Sequence, residues 1–443
     1  MRICFLGAGS TVFAKNVLGD CIRTPEFGKF EIALHDIDEQ RLNESFVIVS
    51  AVNRRYGQPA TISKHLDRRQ ALQGADFIIN AIQVGGYDPC TITDFEIPKK
   101  YGLRQTIADT LGIGGIFRAL RTIPVMEEFA RDIEEICPEA LFLNYSNPMA
   151  MLTGYLLMHT GVKAVGLCHS VQVCVPWLLR TVRLGGHIKT CRYKIGGINH
   201  QAWLLSIEDK EGNDLYPLIR SISQSGRYRQ NIAHVIPDKV RHDMMKHFGY
   251  YITESSEHAA EYLPYYIKER CPELIKEFQI PLDEYPRRCR AQIKGWKIAR
   301  FLMSFKRRLG HRKTHEFGSY IIRAVVENEP YAFNGSVLNT GGIISNLPEY
   351  ACVEVPLTVD RDGFHVEIFG RLPEELAFLN RTNINVQVMT ILAARERKME
   401  YVYTAAALDP HTSSELDVDR ITALCDELYE VHHRGGWMPT YSK

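Results

Sequence analysis

The chain has 443 residues, 45% of them hydrophobic, which is enough for two or three domains with substantial cores. Its 53 basic and 52 acidic residues leave a formal net charge of +1, which gives no electrostatic reason to expect nucleic acid or an anionic membrane as a partner. Apolar runs fall short of the roughly 20 residues that span a bilayer, and the first residues predict strand and turn rather than an export signal. Eleven scattered cysteines without a CxxC pair predict reduced thiols and a cytoplasmic protein.

The chain opens with a strand–turn–helix pattern. Residues 3–6 form an apolar run without a polar break, which suits a strand buried on both faces of a parallel sheet. A turn from Gly7 through Gly9 to Ser10 follows, and residues 11–18 predict a helix. The glycines would let the backbone approach a pyrophosphate, and the free N–H groups of the helix would hold its oxygens.

A second apolar run, residues 32–34, leads to Asp36, which lies 26 residues after Ser10 (36 − 10). At that spacing a carboxylate can accept hydrogen bonds from an adenosine ribose, and it disfavours a 2′-phosphate. We therefore expect NAD rather than NADP on this turn. Because Val12 replaces the third glycine of the G-x-G-x-x-G pattern, an ordinary βα turn without a nucleotide is the alternative.

Strands are predicted at residues 75–82, 141–145 and 164–168, with helical segments such as residues 118–137 between them. This alternation predicts an α/β fold with a Rossmann-like, doubly wound parallel sheet. Ligands of such sheets bind beyond the carboxyl ends of the strands. We therefore expect Gln83 at the cofactor and the segments after all three strands at one rim.

After about residue 185 the pattern becomes mixed. Antiparallel strands are predicted at residues 192–209, and residues 214–247 predict helix or irregular structure. The other predicted elements are a hairpin of residues 353–359 and 363–368 and helices at residues 265–278, 292–309, 379–396 and 421–433. We expect residues 1–190 to form the NAD-binding domain and residues 191–443 an α+β domain that carries substrate and oligomer contacts.

Cys168 and His169 follow the third of these predicted strands, and His200 lies 32 residues after Cys168 (200 − 168) in Gly-Ile-Asn-His. A thiolate and an imidazole can bind a divalent metal and leave positions open for substrate oxygens. The alternative is that both are ordinary core residues.

Three polar segments could face a ligand. Residues 105–116 form a Gly-rich loop before a helix that is predicted to begin near Phe117. Residues 253–264 concentrate Ser, Glu, His and Tyr, and residues 283–288 are mostly charged. Each could equally be a solvated turn.

Taken together, these motifs resemble glycoside hydrolase family 4, the NAD- and metal-dependent glycosidases. The resemblance runs over essentially the whole chain. The motifs that carry it are GAGS (7–10) with Asp36, IADTLGIGGIFRALRTIP (107–124), NYSNPMA (144–150), GLCHSV (166–171), GINH (197–200), TESSEHAAEYLP (253–264) and NINVQ (383–387).

The resemblance implies NAD and a divalent metal, with Mn²⁺ expected, in a build like that of lactate and malate dehydrogenases. It implies an unusual hydrolysis in which C3 of the sugar is oxidised, a base removes the C2 proton, the glycosidic oxygen leaves, and water and hydride then add back. It also implies a homodimer or homotetramer that acts on a small α-galactoside or related oligosaccharide.

Site residues follow by position from the resemblance. They are Cys168 and His200 for the metal, Gly7, Gly9, Ser10, Asp36 and Gln83 for NAD, Asn147 for the sugar hydroxyls, Asp109 in the same pocket, and His169 at the place of an acid. For the base we prefer Tyr262 and then His258, because both can accept or relay a proton at neutral pH.

Phosphoglycosidases of this family carry an Arg where Thr93 stands, and that Arg pairs with a sugar 6-phosphate. A hydroxyl cannot replace the charged fork of an Arg, so we expect an unphosphorylated α-galactoside. An α-galacturonidase is the alternative, with Arg287, Arg288 or Lys294 as the cation near C6. Further alternatives are an NAD-dependent sugar or 2-hydroxyacid dehydrogenase and an inactive NAD-binding regulator.

Overall fold

The computed structural model describes residues 1–228, 238–304, 307–314 and 316–443. Within these ranges the chain forms twelve strands. In chain order they are β1 (Arg2–Leu6), β2 (Phe30–His35), β3 (Ala60–His65), β4 (Phe77–Asn80), β5 (Leu141–Asn144), β6 (Lys163–Gly166), β7 (Arg192–Ile198), β8 (Gln201–Glu208), β9 (Tyr251–Ile252), β10 (Tyr331–Leu338), β11 (Cys352–Asp360) and β12 (Gly363–Val366).

The helices pack on both faces of the sheet. They are α1 (Thr11–Ile22), α2 (Glu39–Arg55), α3 (Arg68–Leu72), α4 (Ile92–Lys100), α5 (Gly112–Ile136), α6 (Met149–His159), α7 (Ser170–Thr181), α8 (Tyr216–Gln224), α9 (Lys239–Phe248), α10 (Ser256–Tyr262), α11 (Glu273–Glu277), α12 (Glu284–Ser304), α13 (Phe317–Glu327), α14 (Glu374–Glu396), α15 (Met399–Leu408), α16 (Pro410–Glu415) and α17 (Val418–Arg434). None of them, over the residues that are described, is long and apolar enough to cross a membrane.

The predicted doubly wound sheet is confirmed. Its parallel part has the order β3-β2-β1-β4-β5-β6. Alternate residues of β1 explain why helices cover both faces. Ile3 and Phe5 are fully buried against α1, α2 and α13, whereas Cys4 and Leu6 are buried against α5 and α6. Each large apolar side chain that is fully buried contributes about 1.5–3 kcal/mol.

The second half of the chain extends the same sheet. β10 pairs antiparallel with β6 through Ser336 and Gly166, and the order continues β10-β11-β7-β8-β9, while β12 pairs with residues 357–360 of β11. The predicted strands of residues 192–209 and the predicted hairpin are both present. Because the sheet is continuous, its strands do not mark a boundary near residue 190, and the division into two domains stays a prediction.

Several helix boundaries depart from prediction; α14, for example, begins at Glu374, five residues before the predicted start (379 − 374). α5 begins at Gly112, several residues before the predicted start. The preceding loop packs so closely on Gly114 and Gly115 that these helical positions leave no room for a side chain: an added Cβ would lie 2.7 Å from Ala108 and from the carbonyl carbon of Thr110, respectively.

The predicted helix at residues 265–278 is wrong for most of its length, because only α11 is helical there. Pro272 lacks an N–H and disfavours helical geometry in the residue before it, so the helix begins after the proline. The predicted helix at residues 292–309 corresponds to α12, which begins at Glu284, eight residues before the predicted start (292 − 284), and whose last described residue is Ser304. Part of the segment 214–247 lies outside the described residues.

Candidate active site

The strands β4, β5 and β6 end level with one another. Asn80 pairs with Asn144, and Asn144 pairs with Gly166. The segments that follow these strands therefore leave the sheet at one edge, as predicted, and they carry Gln83, Asn147 and Cys168.

The turn after β1 is held between its neighbouring strands. Gly7 has a φ of +83°, and an added Cβ would lie 2.7 Å from the carbonyl oxygen of Ala81. The backbone N–H groups of Gly7 and Ala8 both donate to the carbonyl oxygen of His35, at 3.0 and 2.9 Å. The positive φ and the close approach of Ala81 therefore require glycine at position 7, whether or not a nucleotide binds.

Asp36 binds the same turn from the end of β2. The backbone N–H of Gly9 donates to Oδ2 of Asp36 at 2.6 Å, and Oδ1 accepts from the N–H of Asp38 at 2.9 Å. Ser10 is exposed, and its side chain makes no capping hydrogen bond in the described structure. The N-terminus of α1 thus begins beside a carboxylate, an arrangement that fits the pyrophosphate and ribose of a dinucleotide.

Gln83 and Thr93 lie on the segment after β4. Nε2 of Gln83 donates to Oγ1 of Thr91 at 3.2 Å, and the hydroxyl of Thr93 donates to the carbonyl oxygen of Pro89 at 3.1 Å. Both predicted ligand contacts therefore lie in a segment that is internally hydrogen-bonded.

A buried ion pair between Arg121 and Asp94 stabilises the segment after β4. Arg121 donates to both carboxyl oxygens of Asp94, at 3.1 and 2.6 Å, and its Nε donates to the carbonyl oxygen of Val84. His432, from the last helix, contacts Asp94 at 2.8 Å. Burial alone would raise the pKa of Asp94, but the charge of Arg121 and the contact with His432 lower it below its ordinary value.

Cys168, His200 and Glu254 form a cluster of three ligand-type side chains. Sγ of Cys168 lies 3.2 Å from Nε2 of His200, which lies 3.7 Å from Oε2 of Glu254. One ligand atom from each residue lies within 4.8 Å of the other two. Thiolate, imidazole and carboxylate together suit a borderline divalent ion such as Zn²⁺ or Mn²⁺, and three protein ligands leave room for substrate oxygens.

Local geometry aims His200 at this cluster. Ile198 pairs with Gln201 across the two-residue turn between β7 and β8, and His200 occupies its second position with a φ of +63°. His is one of the residues that adopt this left-handed conformation more often than most, although at a cost.

The charges of the cluster shift each other's pKa. Burial alone would raise the pKa of Cys168, but the charge of His200 and its hydrogen bond lower that pKa to about 7. Burial would lower the pKa of His200, but Cys168 and Glu254 raise it to about 10. The thiol is therefore prepared to lose its proton, as a metal-binding cysteine must.

The predicted base candidates differ in exposure. The hydroxyl of Tyr262 lies 2.8 Å from Nδ1 of His200, and the side chain is almost completely buried. His258 is slightly more exposed, with Nε2 3.8 Å from Oδ1 of Asp109 and Nδ1 2.7 Å from the hydroxyl of Ser255.

Asp109 and Asn147 are brought together as predicted. Nδ2 of Asn147 donates to Oδ2 of Asp109 at 3.2 Å, and Nε of Arg118 donates to the carbonyl oxygen of Asn147 at 3.1 Å. Burial alone would raise the pKa of Asp109, but the interaction with His258 and the charge of Arg118 hold it below its ordinary value.

His169 and Arg287 are each paired with a Glu. Nε2 of His169 lies 2.6 Å from Oε2 of Glu316. Burial alone would lower the pKa of His169, but the bond to Glu316 raises it. Arg287 is mostly exposed, and within the described residues its polar contacts are two hydrogen bonds to Glu284, both of 2.6 Å.

Three residues of this region were not singled out from the sequence. Glu254 lies in the polar segment 253–264, two residues before α10, and Arg118 lies in the first half of α5. Glu261 accepts hydrogen bonds from the backbone N–H groups of residues 106–108 at 2.7 to 3.1 Å, which fastens the Gly-rich loop to α10. The density of polar residues in segment 253–264 was the one available signal for Glu254 and Glu261.

Two models of known protein families match consecutive parts of the chain. Residues 2–184 match the profile described as "Family 4 glycosyl hydrolase", and residues 195–412 match "Family 4 glycosyl hydrolase C-terminal domain". The chain is 54% identical over 440 residues to an α-galactosidase of Bacillus subtilis, with 99% of each chain covered. It is 33% identical to an α-galactosidase of Rhizobium meliloti, over 100% of this chain and 90% of the relative.

Solved structures show the same fold. A structure described as a putative glucosidase of Bacillus subtilis has a TM-score of 0.87 and 26% identity, covering 97% of this chain and 99% of that one. A 6-phospho-β-glucosidase of Thermotoga maritima has a TM-score of 0.77 and 20% identity over 98% and 99%. A malate dehydrogenase of Picrophilus torridus has a TM-score of 0.53 and 12% identity over 90% and 98%, so the expected likeness to that build holds at the level of the fold.

Proposed function

Because the chain belongs to family 4 of the glycosyl hydrolases, we propose that it hydrolyses terminal, unphosphorylated α-galactosides of the melibiose type, with NAD and Mn²⁺ as cofactors. The observation that carries this proposal is the cluster of Cys168, His200 and Glu254 at the rim of a dinucleotide-type sheet. The two α-galactosidases named above support the choice of sugar. The Thermotoga maritima structure, which was determined with manganese, NAD⁺ and glucose-6-phosphate, supports the choice of cofactors.

The donor atoms fit both cofactors. Sγ of Cys168, Nε2 of His200 and a carboxyl oxygen of Glu254 would hold the metal, and the turn of Gly7 to Ser10 with Asp36 would hold NAD. When bound, NAD supplies reversible oxidation at C3 of the sugar, and the metal supplies a Lewis acid where negative charge develops on the sugar oxygens.

The protein would move one proton at C2 of the sugar. Tyr262 is buried and hydrogen-bonded to His200, which suits a side chain that orients a metal ligand. Burial alone would lower the pKa of His258, but Glu254 and Asp109 raise it. A raised pKa makes the neutral imidazole a stronger base, and the side chain is more accessible than Tyr262, so we favour His258 over Tyr262 for this step. If so, His258→Ala abolishes exchange of the C2 hydrogen with deuterated solvent, whereas Tyr262→Phe retains exchange at saturating Mn²⁺. The reverse pattern would assign the base to Tyr262.

His169 would protonate the leaving glycosidic oxygen. Its bond to Glu316 raises its pKa against the effect of burial, so the imidazole keeps its proton further into the neutral range than an ordinary histidine. A general acid needs that protonation state in the enzyme–substrate complex. Asn147, fixed by Asp109 and Arg118, would orient the sugar hydroxyls.

The α-galacturonidase alternative differs from the proposed function in the charge of its substrate. An α-galacturonide would need a free cation near C6, but Arg287 pairs with Glu284, and Arg288 pairs with both Glu284 and Glu257. Two of the three candidate cations are thus already paired with carboxylates, and the third, Lys294, is exposed on α12, which favours the neutral galactoside. Thr93 likewise offers a hydroxyl rather than a charge, which favours a substrate without phosphate.

The deciding assay measures galactose released from melibiose, with and without NAD⁺, Mn²⁺ and a thiol reductant. We expect release only when all are present, without net accumulation of NADH at 340 nm. Steady NADH production would instead indicate a dehydrogenase. Comparing p-nitrophenyl α-galactoside with the galacturonide tests the sugar, and faster cleavage of the galacturonide would overturn this part of the proposal.

Compartment and assembly are further parts of the proposal. All eleven cysteines are free thiols, and the proposed reaction needs Cys168 reduced, which supports a reducing, cytoplasmic environment. A homodimer or homotetramer, as the family resemblance implies, is a prediction that light scattering of the purified protein would measure.

A further inference from the structure

A row of four residues crosses the sheet beneath the metal cluster. Gly166 of β6 pairs with Ser336 of β10, Ser336 pairs with Glu354 of β11, and Glu354 pairs with Gly197 of β7. Residues in one row of a sheet share a face. Since the outer two are glycines, only Ser336 and Glu354 supply side chains between the strand that leads to Cys168 and the strand that leads to His200.

Both side chains are fully buried and polar. The two carboxyl oxygens of Glu354 and the hydroxyl of Ser336 all lack a hydrogen-bond partner among the described residues. Elsewhere on β11 the buried positions Val353 and Val355 are apolar. Because burying a polar group without a partner costs free energy, a buried Glu at this position calls for an explanation other than packing.

Asn199 connects the row that contains Glu354 to the metal cluster along the chain. It lies two residues after Gly197, and it is the first residue of the turn whose second residue is His200. Burial and then Cys168 raise the pKa of Glu354 well above its ordinary value, and the interaction with Asn199 opposes this only in part. Both polar atoms of Asn199 lack a hydrogen bond in the described structure. Glu354 also interacts electrostatically with Cys168 and His200.

We propose that Glu354 is a positioning residue for the metal centre: together with Asn199 it fixes the turn that presents His200 to Cys168. The turn holds His200 at a φ of +63°, a conformation that a non-glycine residue adopts only when its surroundings impose it. The inference rests on the proposed function, because it assumes that Cys168 and His200 bind the metal. Glu354 would not touch metal or substrate itself.

The test measures Mn²⁺ binding without substrate, by calorimetry and by the electron paramagnetic resonance of free Mn²⁺. Groups that orient a metal ligand typically change metal affinity about 10- to 100-fold when they are removed. We expect Glu354→Leu to raise the Kd for Mn²⁺ by that factor and Asn199→Ala to do the same. The double variant should be no worse than either single one, because both act through one contact. Glu354→Gln, which keeps the size and the hydrogen-bonding capacity, should restore most of the affinity.

A matched control separates positioning from general loss of stability. Val355→Ala alters the next residue of β11, which points to the opposite face, and should lower the melting temperature without changing the Kd for Mn²⁺. Cys168→Ser tests the premise. If Cys168→Ser retains Mn²⁺ affinity, the proposed metal site itself is wrong. If Cys168→Ser loses Mn²⁺ while folded Glu354→Leu binds it as tightly as the unaltered protein, only the role of Glu354 is refuted.

Discussion

The thiol of Cys168 gives the sharpest test of the cluster in the metal-free protein. His200 lowers its pKa to about 7, from an ordinary value of 9.0. Removing the imidazole in His200→Ala removes the main opposition to burial and leaves only the hydrogen bond from Ser170 to lower the pKa of Cys168, so that pKa should rise above 9.0. His200→Ala should therefore move the pKa of Cys168 from below its ordinary value to above it, and not merely make the downward shift smaller.

The magnitude follows from the fraction of thiolate. A thiol with a pKa of 9.0 is about 1% ionised at pH 7, and one with a pKa of about 7 is about half ionised, a gain of about 50-fold. A thiolate of lower pKa is a weaker nucleophile, by about six- to tenfold here for a Brønsted slope of about 0.4–0.5. Alkylation at pH 7 should therefore be about five- to eightfold faster than for an ordinary thiol, with its inflection near pH 7.

The assay is the pH dependence of iodoacetamide labelling, read by mass spectrometry. Trypsin should cut after Lys163 and Arg180 and release one peptide that contains both Cys168 and Cys174. Cys174 is the internal control, because it is fully buried and burial raises its pKa to about 12. Of these two cysteines we expect label on Cys168 alone, slowed by saturating Mn²⁺ and at least about five- to eightfold slower in His200→Ala at pH 7. An inflection at pH 9 or above in the unaltered protein, or one that His200→Ala leaves in place, would refute the reasoning.

Three further variants test the surroundings. In Gly9→Ala the new Cβ would lie 2.7 Å from Oδ2 of Asp36, so the Kd for NAD should rise at least about tenfold in titrations that follow protein fluorescence. Arg121→Met leaves a buried carboxylate without its bidentate partner and should lower the free energy of unfolding in urea by about 3–5 kcal/mol. Glu316→Gln removes the group that raises the pKa of His169, so the alkaline limb of the kcat/KM profile should move to lower pH.

Each of these variants has an outcome that contradicts it. Gly295→Ala is the control for the first, because its added Cβ meets nothing within 4 Å and NAD binding should not change. Equal NAD affinity in both glycine variants would remove Asp36 from the cofactor site. A loss below about 1 kcal/mol for Arg121→Met would mean that the ion pair is solvated. An unmoved alkaline limb in Glu316→Gln would remove His169 as the acid.

The sequence predicted the parallel half of the fold well because its signals are local. An unbroken apolar run at residues 3–6, followed by a glycine turn and a helix, allows few alternatives. The second half was predicted less well because its strands pair across long distances in the chain. No sequence feature of residues 331–338 indicates that β10 pairs with β6, which lies more than 160 residues earlier in the chain (331 − 166 = 165). Among the errors in helix position, the one at residues 265–278 arose where a proline overrode periodicity.

The candidate site divides in the same way. Cys168 and His200 could be proposed because each follows a recognisable strand or turn, and their side chains do meet. Glu254 was overlooked in a segment with several polar residues, since the spacing alone does not say which of them turns towards the cluster. Partners such as Glu316 for His169 could not be found at all, because 147 residues separate them in the chain.

The position of the cluster explains why the chain must fold as a whole to make it. Cys168 follows the last parallel strand and His200 follows an antiparallel one, so they belong to the two halves of the sequence. Between β6 and β7 in the sheet lie β10 and β11, which come from residues 331–360. The distance of 3.2 Å between the thiol and the imidazole is therefore set by strands that the chain reaches more than 130 residues after His200 (331 − 200 = 131). The parallel strands β1 to β6 pair with one another without them, whereas the proposed metal site depends on them, because they set the separation of the strands that lead to Cys168 and His200.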